Sequence, residues 1–257
     1  LVHFDSPSID YIAIVFQFLA GINFTLLYMA LFRLRFGAFW RNSEFKMYLG
    51  TIAVATLFIM YMLVTRLHYH YEPAFRSALF QVVSFMTTTG LSNDNAGMWP
   101  HITWVVLGLL MFIGACAGST TGGFKCIRGV MLFKVLRNEF RHILHPNAVL
   151  PVKVDGQSIG QGRLVSLLAV FQLYILMLFG VTVMMVVSGV DITNSLTIAL
   201  SLVSNVGAGL DTNIGPVMSW ADLSDGLKWA CSLLMLVGRL EIMSVLVLFT
   251  RSFWKEN

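Results

Sequence analysis

From residue 164 to residue 187 the chain runs through leucine, valine, phenylalanine and methionine without one charged side chain. A helix needs roughly 20 apolar residues to cross a bilayer core, so this run points first to a membrane. Residues 12–32 and 47–65 are equally free of charge. Residues 104–116 begin a fourth crossing, and residues 227–249 make a fifth, interrupted by Arg239 and Glu241. Composition agrees: 57% of the residues are hydrophobic and 12% charged, where soluble domains are about half apolar and about a quarter charged. The expected fold is an all-α, polytopic membrane protein. No secretory signal peptide is visible, and the chain begins at Leu1, which reads as a piece whose upstream part is missing.

The net charge of +4 is a topology signal rather than a sign of nucleic-acid binding. Arg33, Arg35, Arg41 and Lys46 follow the first crossing. Lys125, Arg128, Lys134, Arg137, Arg141, Lys153 and Arg163 follow the fourth, and Arg251 and Lys255 lie in the tail. The other side holds Arg66, Arg76 and Lys228 among Asp5, Asp10, Glu72, Asp94, Asp191, Asp211, Asp222 and Asp225. The positive-inside rule places the first group in the cytoplasm. The three cysteines, Cys116, Cys126 and Cys231, have no metal-ligand spacing and read as inert thiols.

Within this apolar chain, "VSFMTTTGLSNDNAGMWP" at 82–99 is out of place. The preceding apolar stretch, opened by Pro73 near a helix start, covers about 13 residues and is too short to span. It is either a re-entrant helix or an interfacial one. Thr87, Thr88 and Thr89 are β-branched and favour extended backbone, and Gly90 admits conformations that other residues resist. Non-helical backbone survives at membrane depth only where protein buries it or water reaches it. Carbonyls lining a wet pore meet that condition; so does a plain outer-surface turn.

A second copy separates these readings. In "DITNSLTIALSLVSNVGAGLDTNIGPVMSW", residues 191–220, setting Gly207 on Gly90 pairs Ser204, Asn205 and Val206 with Thr87, Thr88 and Thr89. Going backwards, Ser201 meets Ser84, Leu200 meets Val83, Leu196 meets Leu79 and Ile192 meets Phe75, at helical spacing. Downstream, "MFIGACAGST" aligns with "MLVGRLEIMS", placing Gly114 on Gly238. The repeat has a period of about 117 residues (Gly90 to Gly207). Its unit is crossing, short pore helix, Gly-containing loop, crossing, and both loops enter from the same side, so the repeats are parallel. Internal repeats at this scale commonly build a transport path between them.

The stretch "GACAGSTTGGFK", residues 114–125, interrupts what would otherwise be one helix from residue 104 to residue 141. A glycine in a helix interior costs roughly 1 kcal/mol relative to alanine, so Gly114, Gly118, Gly122 and Gly123 together favour a break. It reads either as a small-residue helix contact or as an intramembrane loop crossing the pore below the filter. The corresponding "GRLEIMSVLV" has no glycine run and is expected to continue as helix. Arg239 within it either snorkels to the cytoplasmic surface or projects into the pore beside the loop, with Glu241 pairing to another helix. Between 142 and 160, Asp155-Gly156 signals a type I′ hairpin, after a helix ended by Pro146 and Pro151. His68, His70, His142 and His145 have no ligand-like spacing and read as interface anchors. No nucleophile elbow, P-loop or metalloprotease pattern is present, so the chain is not expected to be an enzyme.

The paired "TTTGL" and "SNVGAGL" loops, "GACAGSTTGGFK" and "GRLE" together resemble the superfamily of Trk, Ktr and HKT potassium transporters over the whole chain. The resemblance implies four such units around one pore. Residues 1–46 then hold the closing helix of a preceding repeat, 47–141 a third-type repeat with gate loop 114–123, 142–160 a cytoplasmic hairpin connector, and 161–257 the last repeat. It implies potassium as transported ion with no organic cofactor, and a homodimer among membrane lipids in a bacterial inner membrane. The hairpin, otherwise a plain connector, would dock a cytosolic nucleotide-binding regulatory ring.

A potassium ion entering such a filter exchanges its water for rings of carbonyl oxygens. The ion-facing carbonyls are expected at Thr88, Thr89 and Gly90 and at Asn205, Val206 and Gly207, with Thr87 and Ser204 innermost. The gate is expected at Gly114, Gly118, Ser119, Thr120, Thr121, Gly122 and Gly123, with Arg239. The Gly-Tyr-Gly end of ordinary potassium channels is lacking, which implies fewer strict oxygen rings and weaker rejection of sodium. The rival reading is a secondary transporter of another solute built from two repeats, although the parallel topology argues against the many inverted-repeat designs.

Overall fold

The computed structural model describes residues 6–34, 36–145, 151–210, 223–240, 242–250 and 253–254. Glu241, Pro146 and residues 211–222 of the second outer stretch lie outside the described residues. So do Arg35, Arg251, Lys255, Asp5, Asp211 and Asp222 of the charge pattern. The described chain is helical apart from one small hairpin, as the apolar runs predict.

The first predicted crossing is not one helix. Helix α1 (Pro7–Ala20) stops, and α2 (Phe24–Arg33) leaves it at 102°. The absence of charge over residues 12–32 conceals this bend. Asn23 makes it by capping the Thr25 N–H with its side chain at 2.8 Å. Gly21 sits at the corner, where a Cβ would strike the Tyr48 hydroxyl and come 2.9 Å from Thr87 Cγ2.

After the short α3 (Gly37–Arg41), α4 (Ser43–Leu67) is a full-length span. Asn42 caps it by accepting from the Phe45 N–H at 2.8 Å, and His68 ends it in the left-handed region at φ 56°. Helix α5 (Tyr71–Met86) packs among α1, α4 and α6 (His101–Ile113). Its Phe80, Val82, Val83, Phe85 and Met86 are buried. The burial fits the re-entrant alternative rather than the interfacial one, because an interfacial helix would keep one face open. Residues 114–125 leave the helical path, which resumes as α7 (Cys126–Leu144).

The hairpin follows as predicted. Strands β1 (Lys153–Val154) and β2 (Gln157–Ser158) pair antiparallel, Val154 opposite Gln157. Asp155 and Gly156 both have positive φ, 50° and 85°, as a type I′ turn requires.

The second unit repeats the first. Helix α8 (Gln161–Val187) is long enough to span, and α9 (Ile192–Ser204) is the counterpart of α5. On α8 the buried residues Leu167, Tyr174, Leu178, Val181 and Met185 fall on one stripe. The opposite side exposes Leu168, Leu176, Phe179 and Val187, a surface suited to lipid chains. Helix α10 (Asp225–Arg239) ends at Arg239, and α11 (Ile242–Leu248) begins separately. Leu240 N–H still donates to Leu236 O at 3.0 Å, so the helical path runs on through Leu240, and Glu241, between the two helices, lies outside the described residues. At Gly238 a Cβ would lie 2.6 Å from the Val203 carbonyl oxygen, so α10 is drawn against the end of α9.

Each unit has its own apolar core, and the loops cross between them. Val206, Ala208 and Leu210 of the second unit pack in the first core, while Phe124 packs in the second.

Candidate functional site

Helices α5 and α9 end in the same turn. Thr88 N–H donates to Phe85 O at 3.3 Å and Thr89 N–H to Ser84 O at 2.9 Å; Asn205 N–H donates to Leu202 O at 3.1 Å and Val206 N–H to Ser201 O at 2.8 Å. Both are Schellman closures. The repeat read from the sequence therefore extends to individual hydrogen bonds. Left-handed backbone recurs at matched positions too: Thr88 at φ 53° with Asn205 at φ 62°, and Gly90 at φ 72° with Gly207 at φ 82°.

The threonine run is thus not simply extended. β-Branching favours extended backbone for Thr88, but the helix carbonyls of α5 are left without partners, and a left-handed residue lets two of them accept. That gain outweighs the local preference. Thr87 is 3% exposed, and its hydroxyl donates to Val83 O at 2.7 Å and shares a 2.8 Å bond with Thr89 Oγ1. Ser204 is buried, its hydroxyl 2.7 Å from that of Tyr174.

The two turns adjoin. A Cβ on Gly90 would strike the Val206 carbonyl oxygen, so a side chain is excluded where the loops meet. The same approach places carbonyl oxygen beside the left-handed glycine, the donor type a hard alkali cation takes. Thr89 and Gly207 are the exposed members of the two turns.

Residues 114–125 pack against both turns at the helix C-termini. Gly122 N–H donates to Thr88 Oγ1 at 2.8 Å, and a Cβ on Gly122 would strike the Ser204 carbonyl oxygen. The loop is closed at its neck: Cys126 N–H donates to Ala115 O at 3.0 Å, and Gly114 lies against Gly122 and Gly123. Its outer part is seated in the α1–α2 bend. Cys116 N–H donates to Gly21 O and Phe24 N–H to Gly118 O, both at 3.1 Å. Ser119 and Thr121 share a 2.8 Å hydroxyl bond, Thr120 Oγ1 donates to Ala20 O at 3.4 Å, and Lys125 Nζ donates to Thr121 O.

Two anchors of this loop carry no signal in the sequence. Phe124 stacks on Phe112 at 5.7 Å and meets Phe171 and Tyr174 edge-on. Glu44 lies between Arg41 and Lys46 of the basic segment, yet it is 3% exposed and accepts from Ala117 N–H and Ile127 N–H. Only the close approach of α4 and α7 reveals the Glu44 pairing.

Arg239, at the exposed end of α10, makes no hydrogen bond to residues 114–123 among the described residues. Its neighbour Gly238 shares a small cavity of about 30 Å³ with Gly123, Tyr174 and Val203, so the arginine lies one residue from the loop's surroundings. The three cysteines are buried and unbridged.

On the opposite side, Asp10 and Arg76 form a 2.7 Å ion pair, and Asn93 Nδ2 donates to Asp10 at 3.0 Å. Tyr69 donates to Asp94 at 3.3 Å; burial and the Asp94 carboxylate push its phenol above the ordinary value, keeping it a donor. These contacts tie the stretch after Gly90 to α1 and α5.

A protein-family model described as "TrkH: Cation transport protein" matches residues 1–256. The chain is 35% identical over 99% of its length to the Trk system potassium uptake protein TrkH of Salmonella typhimurium, covering 52% of that protein. It is 31% identical to Trk system potassium uptake protein TrkG of Escherichia coli, over 99% of this chain and 52% of that one. Among solved structures, the potassium transporter TrkH from Vibrio parahaemolyticus superposes with a TM-score of 0.91 at 32% identity, covering 99% of this chain and 55% of that one. The chain thus spans about half the length of these relatives.

Proposed function

Because this chain belongs to the TrkH family of cation transport proteins, we propose that it forms part of a potassium uptake path across a bacterial inner membrane. The single observation that carries this reading is the matched pair of left-handed turns, Thr88–Gly90 and Asn205–Gly207, meeting at Gly90 and Val206. Relatives are described as potassium uptake proteins. In this reading the carbonyls of Thr88, Thr89, Gly90, Asn205, Val206 and Gly207 replace water around the ion, with Thr87 and Ser204 at the inner end. The C-terminal ends of α5 and α9 add partial negative charge there.

Residues 114–123 act as the gate in this reading. Their bonds to Thr88, and the approach of Gly122 to Ser204, support a barrier under the filter. Arg239 adds positive charge beside it. A cytosolic nucleotide-binding ring would act on the gate from the hairpin side. The hairpin is tied to the membrane helices: Asp155 Oδ1 accepts from Ser43 N–H at 2.9 Å, and Lys134 Nζ donates to Lys153 O at 2.8 Å.

The test is cation flux into liposomes carrying the full-length transporter. Potassium should pass faster than lithium, and equal permeation of the two would count against the filter. A deletion within residues 118–122 should raise flux in the absence of any activating partner. Arg239→Ala should act in the same direction if its charge contributes to the barrier.

A further inference from the structure

We propose that Glu44 is a positioning residue for the loop of residues 114–125, holding it shut from a helix outside it; this rests on the reading of that loop as the gate. One oxygen, Oε1, accepts from Ala117 N–H at 2.6 Å and from Ile127 N–H at 3.1 Å. The two donors stand on opposite sides of the loop: Ala117 just after its first turn, Ile127 in the first turn of α7. A single acceptor therefore fixes both ends against each other and against α4.

The N-terminus of α7 needs this acceptor. Its N-cap position is Lys125, at φ 80°, which makes no side-chain cap. The first amides of a helix are otherwise without partners, and a carboxylate there is favoured by the helix dipole. Glu44 supplies it from the first turn of a different helix. That turn is fixed in its own right, by Asn42 to Phe45 N–H at 2.8 Å and by Asp155 to Ser43 N–H at 2.9 Å. A buried carboxylate is a costly way to hold two helices together, and an apolar side chain of similar size commonly does as well or better. Its use here is accounted for by bonds that only an oxygen acceptor can make.

The bonds are also placed to matter for conduction. Removing them loosens Ala117 and the first turn of α7 from α4, while the loop keeps its bonds to Gly21 and Phe24, Phe124 keeps its aromatic cluster and the two filter turns keep their own helix carbonyls. The expected effect is a leak without a change in ion preference.

Full-length transporter in liposomes, without activating partner, is compared as wild type, Glu44→Ala, Glu44→Gln, Glu44→Asp and a deletion within residues 118–122. Potassium flux in Glu44→Ala should rise about 25-fold, about fivefold for each of the two hydrogen bonds lost, at an unchanged potassium-to-sodium ratio. Glu44→Gln keeps an oxygen at the same reach and should stay near wild type, whereas Glu44→Asp withdraws it and should leak. If Glu44→Ala does not fold, the aspartate–glutamine contrast decides alone: leaking Asp with tight Gln supports the proposal, and two tight variants overturn it. Wild-type flux in Glu44→Ala beside a leaking deletion overturns the clamp and spares the gate. Equal leak in Ala and Gln overturns the hydrogen-bond account. A deletion that does not leak overturns the gate reading itself, and the clamp with it.

Discussion

The hydroxyl of Thr88 accepts a hydrogen bond from the Gly122 amide at 2.8 Å, joining the first filter turn to the glycine-rich loop. Thr88 is also the left-handed residue of that turn, at φ 53°, an uncommon conformation for a β-branched side chain. It persists because bonds on both sides fix it: the turn amides to the α5 carbonyls, the hydroxyl to the loop. In the proposed reading, one residue shapes the filter and latches the barrier.

Thr88→Val tests the latch. Valine is β-branched as well, so it keeps the backbone strain and removes only the acceptor. Basal potassium flux should rise about fivefold, as expected for loss of one hydrogen bond of about 1 kcal/mol. Thr88→Ser keeps the hydroxyl and should behave like the wild type. Liposome flux of the purified variants decides, and similar flux in Val and Ser would remove the latch.

The two filter glycines should not respond equally to alanine. At Gly90 the new methyl meets the Val206 carbonyl oxygen and must also adopt φ 72°; at Gly207 its nearest neighbour is Met235 Cε at 3.9 Å, and only the φ of 82° opposes it. Left-handed backbone alone costs a non-glycine residue roughly 1–2 kcal/mol. Gly90→Ala should therefore abolish growth of a potassium-uptake-deficient strain at low potassium, and Gly207→Ala should only slow it. Protein level is checked by immunoblot. Normal growth of both variants would sink the filter assignment.

The outer anchor gives a prediction about stability. Asp10 and Arg76 are 8% and 14% exposed at their side chains, and Asn93 leans on the same carboxylate. Removing Asp10 strips Arg76 of its buried partner and leaves it only the exposed Glu72 at 3.2 Å, so the cost stays below the ~3–5 kcal/mol of a fully uncompensated buried charge. Asp10→Ala should lower the thermal midpoint in detergent clearly, and more than Lys228→Ala, which removes a pair exposed on both sides. Equal midpoints for the two variants would contradict the buried-anchor account.

What the sequence made legible here is what has a period or a local chemistry. The repeat placing Gly207 on Gly90 holds down to matched hydrogen bonds, and Asp155-Gly156 turns as its φ requirement dictates. The bend at residues 21–23 is hidden because its flanks carry no charge, and its local signals, Gly21 and the Asn23 cap on Thr25, are reinforced by a contact of Phe24 with Gly118, distant in the chain. Thr88 is left-handed rather than extended because the stranded carbonyls of α5 outweigh its β-branched preference. The approach of Gly238 to the Val203 carbonyl oxygen is likewise recorded by no local pattern. Glu44 was invisible as a functional candidate for the same reason: its partners are Ala117 and Ile127, whose side chains say nothing of their amides.

Tyr174 and Ser204 offer the last test, of whether the second turn is held from outside. Their hydroxyls lie 2.7 Å apart, both buried, and Ser204 stands at the end of α9 where its carbonyl meets Gly122. Tyr174→Phe strips Ser204 of its partner, and Ser204→Ala does the same to Tyr174. A buried polar group left unpaired costs about 1–3 kcal/mol, whereas removing both partners together can be nearly neutral. Each single variant should therefore lower unfolding stability by about 1–3 kcal/mol, and the double variant should be no less stable than the worse single one. Strictly additive losses in the thermal unfolding of the four proteins would show that the two hydroxyls are not coupled, leaving the turn held by Ser201 and Leu202 carbonyls alone.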